Sequence, residues 1–194
     1  MIVLVIGPSG SGKGTQAELI AQKLNVPHID VGSLLRESAD SKTSIGNLIN
    51  SIIDKGEIVP DSVTNFVIQS RISNVDCNNG FVLDGSPRTL VQAVILDNYL
   101  NLNGRKVDHV IMFNFPVEEA VKRMKIRAVN AKKNNRTVRE DDLNEEVIKT
   151  RISEFEEQSK EIKMYYENMK VLNIVDARPS IEIIFKDISE KLNI

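Results

Sequence analysis

The chain has 194 residues with a net charge of −2, from 25 Lys and Arg against 27 Asp and Glu. This length suffices for one hydrophobic core, and the balanced charge argues against a nucleic-acid-binding or acidic-membrane-binding surface. The single cysteine, Cys77, excludes an intrachain disulfide framework and a cysteine zinc site, so we expect a buried structural thiol. No stretch is long and apolar enough to span a membrane, and we expect a cytoplasmic protein.

The most informative stretch is a glycine-rich loop near the start of the chain. Residues 2–6 are an uninterrupted apolar run of strand length, residues 7–15 read Gly-Pro-Ser-Gly-Ser-Gly-Lys-Gly-Thr, and an amphipathic helical pattern follows to residue 24. A strand, a glycine loop and a helix in this order are typical of a phosphate-binding P-loop, because backbone N–H groups and the helix N-terminus converge on an anion. Lys13 adds a full positive charge for the terminal phosphates.

The remaining pattern alternates strands and helices. We predict further strands at 26–31, 81–84, 107–115 and 171–175. We predict helices from about 33 with Ser33 as the cap, at 45–53 with Gly56 as the terminator, at 61–72, 90–100, 116–127, 147–169 and 181–192. Strands separated by helices favour an α/β fold with a parallel sheet.

Polar residues follow the predicted strand at 81–84. Asp84 ends this apolar strand, and a carboxylate at the carboxyl end of a strand beside a P-loop is well placed to hold Mg²⁺ or its waters. Pro87 restricts the next loop and directs Arg88 back towards the sheet edge.

Arginines concentrate in the later part of the chain. Arg123 and Arg127 are four residues apart and share a helix face, although Arg123 could equally pair with Glu119 on a solvated surface. Residues 128–146 have few apolar side chains and many charged ones, which is typical of a mobile flap.

Taken together, these motifs resemble the adenylate kinases, a family of nucleoside monophosphate kinases. Residues 7–16 resemble the family loop Gly-x-Pro-Gly-x-Gly-Lys-Gly-Thr-Gln, in which glycine after the lysine is usual. Residues 84–89, followed by Gln92, resemble the monophosphate signature Asp-Gly-Phe-Pro-Arg-Thr with its later Gln, and residues 139–142 resemble the Arg-x-Asp-Asp of the family lid. The resemblance covers nearly the whole chain in the family order.

The resemblance implies an architecture for the whole chain. It implies one domain over residues 1–194 built on a five-stranded parallel sheet in the order 2-3-1-4-5, with helices on both faces. It also implies a monophosphate-binding insertion at 31–60 and a short lid at 128–145 without the cysteines of zinc-binding lids. A monomer is expected from the same comparison.

The resemblance further implies reversible transfer of a phosphoryl group from ATP to AMP, giving two ADP, with Mg²⁺ held through water by Asp84. The donor site it implies comprises Gly10, Ser11, Gly12, Lys13, Gly14, Thr15, Arg123, Arg127 and Pro179. The acceptor site it implies comprises Val31, Arg36, Glu57, Ile58, Val59, Gly85, Ser86, Pro87, Arg88, Gln92, Arg139 and Arg151. Catalytic roles fall to Lys13, Asp84, Arg88, Arg127, Arg139 and Arg151.

Three residues depart from the family pattern, all on the acceptor side. Val31 and Ser33 stand where the family has Thr and Asp, and Ser86 stands where it has a phenylalanine that packs on the base. A pyrimidine monophosphate kinase and an ATP-binding regulatory protein with weak turnover are therefore alternatives. Thr89 and Gln92 favour AMP over UMP or CMP, and the full arginine set favours an enzyme over a binding protein.

Overall fold

Strands and helices alternate along the chain. The computed structural model describes residues 1–53, 59–133 and 145–194, without the side chains of 53, 117, 127, 128, 130–133 and 145–152. The elements are β1 Ile2–Ile6, α1 Lys13–Leu24, β2 His28–Asp30, α2 Val31–Asp40, α3 Ser44–Ile53, α4 Asp61–Ile72, β3 Phe81–Asp84, α5 Leu90–Leu102, β4 His109–Asn114, α6 Val117–Lys133, α7 Glu145–Asn168, β5 Leu172–Asp176 and α8 Ile181–Leu192.

The strands form one parallel sheet in the order β2-β3-β1-β4-β5, as predicted. β1 is central, and all five of its residues are buried because helices cover both faces of the sheet. The registers pair Val5 of β1 with Asp84 of β3, and Asp84 with Asp30 of β2. The carboxyl ends of these three strands therefore meet at one edge of the sheet.

Two hydrophobic layers fix the sheet between its helices. Val3 and Val5 of β1 pack into one layer with residues of α1, α6 and α8. Leu4 and Ile6 point to the opposite face and pack with residues of α4, α5 and α7. This alternation is the period of two that a strand imposes, and it leaves the carboxyl edge of the sheet for polar residues. Cys77 is fully buried in the second layer, as expected.

The start of α2 differs from the prediction. Asp30, not Ser33, is the N-cap, and its side chain accepts a hydrogen bond from the backbone N–H of Gly32. Both residue types cap helices well, but β2 ends at Asp30 and the helix follows immediately. Ser33 therefore lies inside the first turn, where its hydroxyl donates to Asp30.

The two predicted insertions are described in part. α2 and α3 account for residues 31–53, whereas Gly56, Glu57 and Ile58 lie outside the described residues. At the predicted lid, residues 128–133 continue α6 and 134–144 lie outside the described residues. Among the described helices none combines the length and apolar character needed to cross a bilayer.

Candidate active site

The loop after β1 is shaped to hold an anion at the start of α1. Gly10 and Gly12 have φ of 84° and 87°, in the left-handed region that favours glycine. Gly12 is the N-cap of α1, no side chain caps this terminus, and its first turn contains no acidic residue. The backbone N–H groups at this helix start are therefore not used by a capping side chain, which is the arrangement of a phosphate site.

Two cations converge above Gly85, the residue that follows β3. A Cβ atom at position 85 would lie 3.9 Å from both Cε of Lys13 and Nη2 of Arg88. The Arg88 side chain is held in place because its Nε donates to the carbonyl oxygen of Gly85 at 3.0 Å. The P-loop lysine and the arginine of the loop after β3 thus both lie within van der Waals reach of the same point above Gly85.

Asp84 lies directly beside the P-loop. A Cβ atom at position 14 would lie 3.2 Å from Oδ2 of Asp84, so the contact explains why glycine follows Lys13 in this loop. Nε2 of His28 lies 3.6 Å from the same oxygen. The other oxygen, Oδ1, is buried and receives no hydrogen bond from the described residues.

A chain of hydrogen bonds holds Arg36 at the start of α2. Nη2 of Arg36 donates to Oγ of Ser33 at 2.8 Å, and that hydroxyl donates to Oδ2 of Asp30 at 2.8 Å. Burial alone would raise the pKa of Asp30, but the hydrogen bonds from Ser33 and Gly32, together with the charge of Arg36, outweigh it and lower that pKa. The neighbouring Val31 is buried, and its side chain offers no hydrogen-bonding group.

Gln92 is buried at the start of α5, and three hydrogen bonds made by its side-chain amide hold it in place. Its Oε1 accepts from the backbone N–H of Arg88 at 2.8 Å and from Oγ of Ser86 at 3.3 Å. Its Nε2 donates to Oδ1 of Asp61 at 2.7 Å. Ser86 is only 1% exposed, so the residue that replaces the family phenylalanine binds Gln92 rather than presenting a surface to solvent.

Arg123 lies between the P-loop and the loop after β5. Its guanidinium carbon is 4.4 Å from the ring centroid of Phe115, and Nη2 donates to the carbonyl oxygen of Arg178 at 3.2 Å. Glu119, the alternative partner, pairs with Lys122 instead. Arg178 adjoins Pro179, and Nε2 of Gln16 donates to the carbonyl oxygen of Ile181 at 2.9 Å, so the P-loop helix and this loop are tied together.

Several predicted site residues cannot be placed in this geometry. Arg139, Glu57 and Ile58 lie outside the described residues, as do the side chains of Arg127 and Arg151, whose backbones belong to α6 and α7. Val59 is described and immediately precedes Pro60, the N-cap of α4. The described part of the chain contains no group of three or more His, Cys, Asp or Glu side chains arranged to hold a metal ion.

Comparison with known proteins agrees with this geometry. The family model described as adenylate kinase matches residues 5–171. The chain belongs to the adenylate kinase family. It is 37% identical over 188 residues to an adenylate kinase of Chelativorans sp., covering 97% of this chain and 96% of that protein. It is 34% identical to an adenylate kinase of Clostridium kluyveri, over 96% of this chain and 95% of that protein. It is also 34% identical to an adenylate kinase of Rhizobium meliloti, over 99% of this chain and 100% of that protein.

The reaction of the family is reversible phosphoryl transfer from ATP to AMP, with two ADP as products, and this chain is a phosphotransferase of that kind. The family comparison therefore confirms the fold and the reaction expected from the motifs at residues 7–16 and 84–92. It does not assign a role to any single residue.

Two residues at the site were not identified from the sequence as site residues. From the sequence, Asp61 was predicted only to start a helix, yet its carboxylate accepts hydrogen bonds from both Gln92 and Thr89. From the sequence, Asp30 was predicted only to lie in a strand, yet it accepts a hydrogen bond from Ser33, which in turn accepts one from Arg36. For Asp30 the spacing Asp-x-x-Ser at a strand-to-helix junction was an available signal, since either side chain can cap. For Asp61 no local pattern indicates a partner 31 residues away.

Proposed function

We propose that the chain transfers the γ-phosphoryl group of Mg-ATP to AMP at the edge of the sheet where β1, β2 and β3 end. The observation that carries this proposal is the convergence of Lys13 and Arg88 on Gly85, with Asp84 beside Gly14. Positive charge from the donor loop and from the acceptor loop then meets at one point, which is what transfer between two polyanions requires.

On the donor side, the backbone of residues 10–15 and Lys13 hold the ATP phosphates. Two features support this role: the helix start is free of a capping side chain, and the loop glycines adopt left-handed conformations. Arg123 lies against the adenine of ATP and Pro179 touches the same base, a role supported by the position of Arg123 over Phe115 and beside Arg178. Arg127 reaches the phosphates from the same helix.

On the acceptor side, Arg36 and Arg88 bind the phosphate of AMP. Arginine suits this role because its planar guanidinium group can donate two parallel hydrogen bonds to one phosphate. Both side chains are oriented by the fold, Arg36 by Ser33 and Arg88 by the carbonyl of Gly85. Gln92 reads the adenine, with the backbone of 57–59 and Val31 lining the pocket.

The donor set fits a magnesium ion bound through water. The buried Oδ1 of Asp84 receives no hydrogen bond from the described residues and is a hard oxygen ligand of the kind that Mg²⁺ and its waters prefer. When bound, Mg²⁺ neutralises charge on the transferring phosphates. Asp84 is the residue that positions its water shell, and the glycine at position 14 leaves room for the carboxylate.

Catalysis by this site needs no covalent intermediate. The protein aligns the two nucleotides and offsets charge on the equatorial oxygens with Lys13 and Arg88. It excludes water when Arg139 of the lid and Arg151 of α7 close over the transferring group. Alignment and charge compensation together are the largest sources of rate acceleration in this kind of reaction. A monomer is sufficient for this mechanism, since every proposed ligand comes from one chain.

The test is a coupled assay of ADP formation from Mg-ATP with AMP, UMP, CMP and GMP as acceptors. Lys13→Ala should abolish turnover, and Lys23→Ala, an exposed lysine in the last turn of the same helix, should leave it unchanged. We expect AMP to be the best acceptor. A higher rate with UMP or CMP, or full activity in Lys13→Ala, would contradict the proposal.

A further inference from the structure

The buried amide of Gln92 has a defined orientation because two of its neighbours can each play only one role in a hydrogen bond. The backbone N–H of Arg88 can only donate, and it lies 2.8 Å from Oε1. The carboxylate of Asp61 accepts, and it lies 2.7 Å from Nε2. Turning the amide over would set an oxygen against the carboxylate and an amino group against an N–H, so the observed orientation is strongly preferred.

This orientation uses almost all the hydrogen-bonding capacity of the side chain. An amide oxygen has two lone pairs, and here Arg88 and the hydroxyl of Ser86 take both. The amide nitrogen has two N–H groups, and Asp61 takes one. What Gln92 retains for a ligand is therefore a single N–H donor.

Asp61 is itself fixed by the beginning of α5. Its Oδ2 accepts from Oγ1 of Thr89 at 2.7 Å, and Thr89 caps α5 by accepting from the backbone N–H of Gln92 at 3.1 Å. Asp61, Thr89 and Gln92 thus form a closed ring of hydrogen bonds that joins the first turn of α4 to the first turn of α5. A residue held by two partners in this way can orient a third group without moving.

We propose that Asp61 is a specificity-determining positioning residue for the acceptor base. By fixing the amide of Gln92 it leaves one N–H donor, so the site takes a purine with an unprotonated ring nitrogen at position 1 and discriminates against one that carries N–H there. This inference rests on the proposed function, in which the acceptor base lies beside Gln92. Because Ser86 occupies the second lone pair of the amide oxygen, the 6-amino group of adenine gains nothing from Gln92.

The first test uses analogues of AMP that differ at one position. With the wild-type enzyme, 1-deaza-AMP, which lacks the ring nitrogen, should lower kcat/KM by tenfold or more, because a buried N–H loses its acceptor. Purine riboside 5′-monophosphate, which lacks the 6-amino group, should lower it less than threefold. Equal losses with the two analogues would overturn the inference, since they would mean that the amide oxygen also reads the base.

The second test exchanges the carboxylate and the amide. Gln92→Glu places two acceptors where Asp61 and Gln92 lie 2.7 Å apart, and it should lower the melting temperature and the turnover. Adding Asp61→Asn restores a donor and an acceptor to this contact, and should recover the melting temperature. In the double variant, position 92 presents an acceptor instead of an N–H, so the preference for AMP over IMP should fall at least tenfold and favour IMP. Asp76→Asn, which alters a surface carboxylate bound to Arg71, is the control for base preference and should leave the ratio of AMP to IMP turnover unchanged.

The readouts separate this inference from the proposed function. Recovery of the melting temperature together with a change in base preference supports the role of Asp61. Recovery of the melting temperature with an unchanged preference overturns it, because Asp61 would then stabilise the fold alone. Absence of AMP turnover in the wild-type enzyme would instead overturn the proposed function. The loss of melting temperature in Gln92→Glu and its recovery in the double variant could still be measured.

Discussion

Gly14 and Asp84 are in contact across the edge of the sheet, since a Cβ atom at position 14 would lie 3.2 Å from Oδ2 of Asp84. Gly14 belongs to the first turn of α1 and Asp84 ends β3. The helix proposed to bind the donor phosphates and the carboxylate proposed to position the waters of Mg²⁺ are therefore in direct contact.

Gly14→Ala should separate stability from activity. Alanine is favoured over glycine in a helix by about 1 kcal/mol, so the free energy of unfolding should not fall. Displacement of Asp84 by the new methyl group should lower kcat about tenfold and raise the Mg²⁺ concentration needed for half-maximal rate. Gly32→Ala is the matched variant, because its Cβ would lie 3.2 Å from Asp30 and 3.3 Å from Arg36. It should raise KM for AMP without altering the Mg²⁺ dependence.

Ser33→Ala should weaken AMP binding alone. The hydroxyl accepts from Arg36 and donates to Asp30, and its removal leaves the guanidinium group of Arg36 less restrained. We expect KM for AMP to rise about threefold to tenfold, which corresponds to one hydrogen bond, and KM for ATP to stay unchanged. Steady-state kinetics with each nucleotide varied in turn would measure this. Ser73→Ala removes a hydroxyl that donates to the carbonyl oxygen of Ser70 in its own helix and should change neither constant.

Arg123→Lys and Arg105→Lys should have different effects although each arginine lies over a phenylalanine ring. Arg123 lies beside the donor loop, and lysine cannot provide its planar stacking surface. KM for ATP should rise about threefold to tenfold. Arg105 binds the carbonyl oxygens of Ile72 and Cys77 far from the loop, so its replacement should lower the melting temperature and leave KM for ATP unchanged. The reverse pattern would contradict the donor site.

Asp97→Asn should stabilise the protein at neutral pH. Burial raises the pKa of Asp97 to about 6, which interactions with the hydroxyl groups of Tyr165 and Tyr166 offset only in part. The folded state then binds the proton more tightly than the unfolded state does. Ionisation of Asp97 therefore lowers the free energy of unfolding progressively as pH rises from about 4 to 6. Above pH 6 the variant should be more stable by about 3 kcal/mol, since each unit between a pKa of 3.8 and one of about 6 contributes about 1.4 kcal/mol. The difference should vanish as pH falls below 3.8.

Denaturant unfolding of both proteins between pH 4 and 8 would test this prediction. Asp76→Asn supplies a control of opposite sign, because its hydrogen bond to Arg71 lowers the pKa of Asp76. That variant should be less stable than the wild-type protein at neutral pH, and the loss should shrink as pH falls. A pH-independent difference for Asp97→Asn would show that ionisation of this carboxyl group does not determine the effect.

The strands could be predicted because their determinants are local, whereas their order in the sheet was implied by the resemblance to a known family. Each strand is a short apolar run, and the loop at residues 7–15 fixes which run is central through its resemblance to a known family. Most helix boundaries followed from periodicity to within a few residues, but α6 was predicted to end at 127 and continues to Lys133, because the alanine and lysine residues after 127 still favour a helix. The cap of α2 was predicted wrongly because Asp30 and Ser33 are both good caps, and the choice depends on where β2 ends.

The hydrogen bonds within the acceptor site could not be predicted from the sequence. Ser86 was correctly noted as a departure, but its bond to Gln92 depends on how the loop after β3 turns back onto α5. Asp61 and Gln92 meet only because α4 and α5 pack side by side. Contacts of this kind depend on tertiary packing, which residue spacing along a single element does not encode.

The central position of β1 divides the sheet into two wings. On one side, the chain that leaves β2 and β3 carries Arg36, Arg88 and Gln92, and Asp84 ends β3. On the other side, the chain that leaves β4 and β5 carries Arg123 and Arg178. The first wing is also one continuous stretch of chain, from β2 to the end of α5. The residues proposed to bind the acceptor base thus lie in a single contiguous segment of the gene, so recombination of that segment could change base selectivity while the P-loop is inherited unchanged.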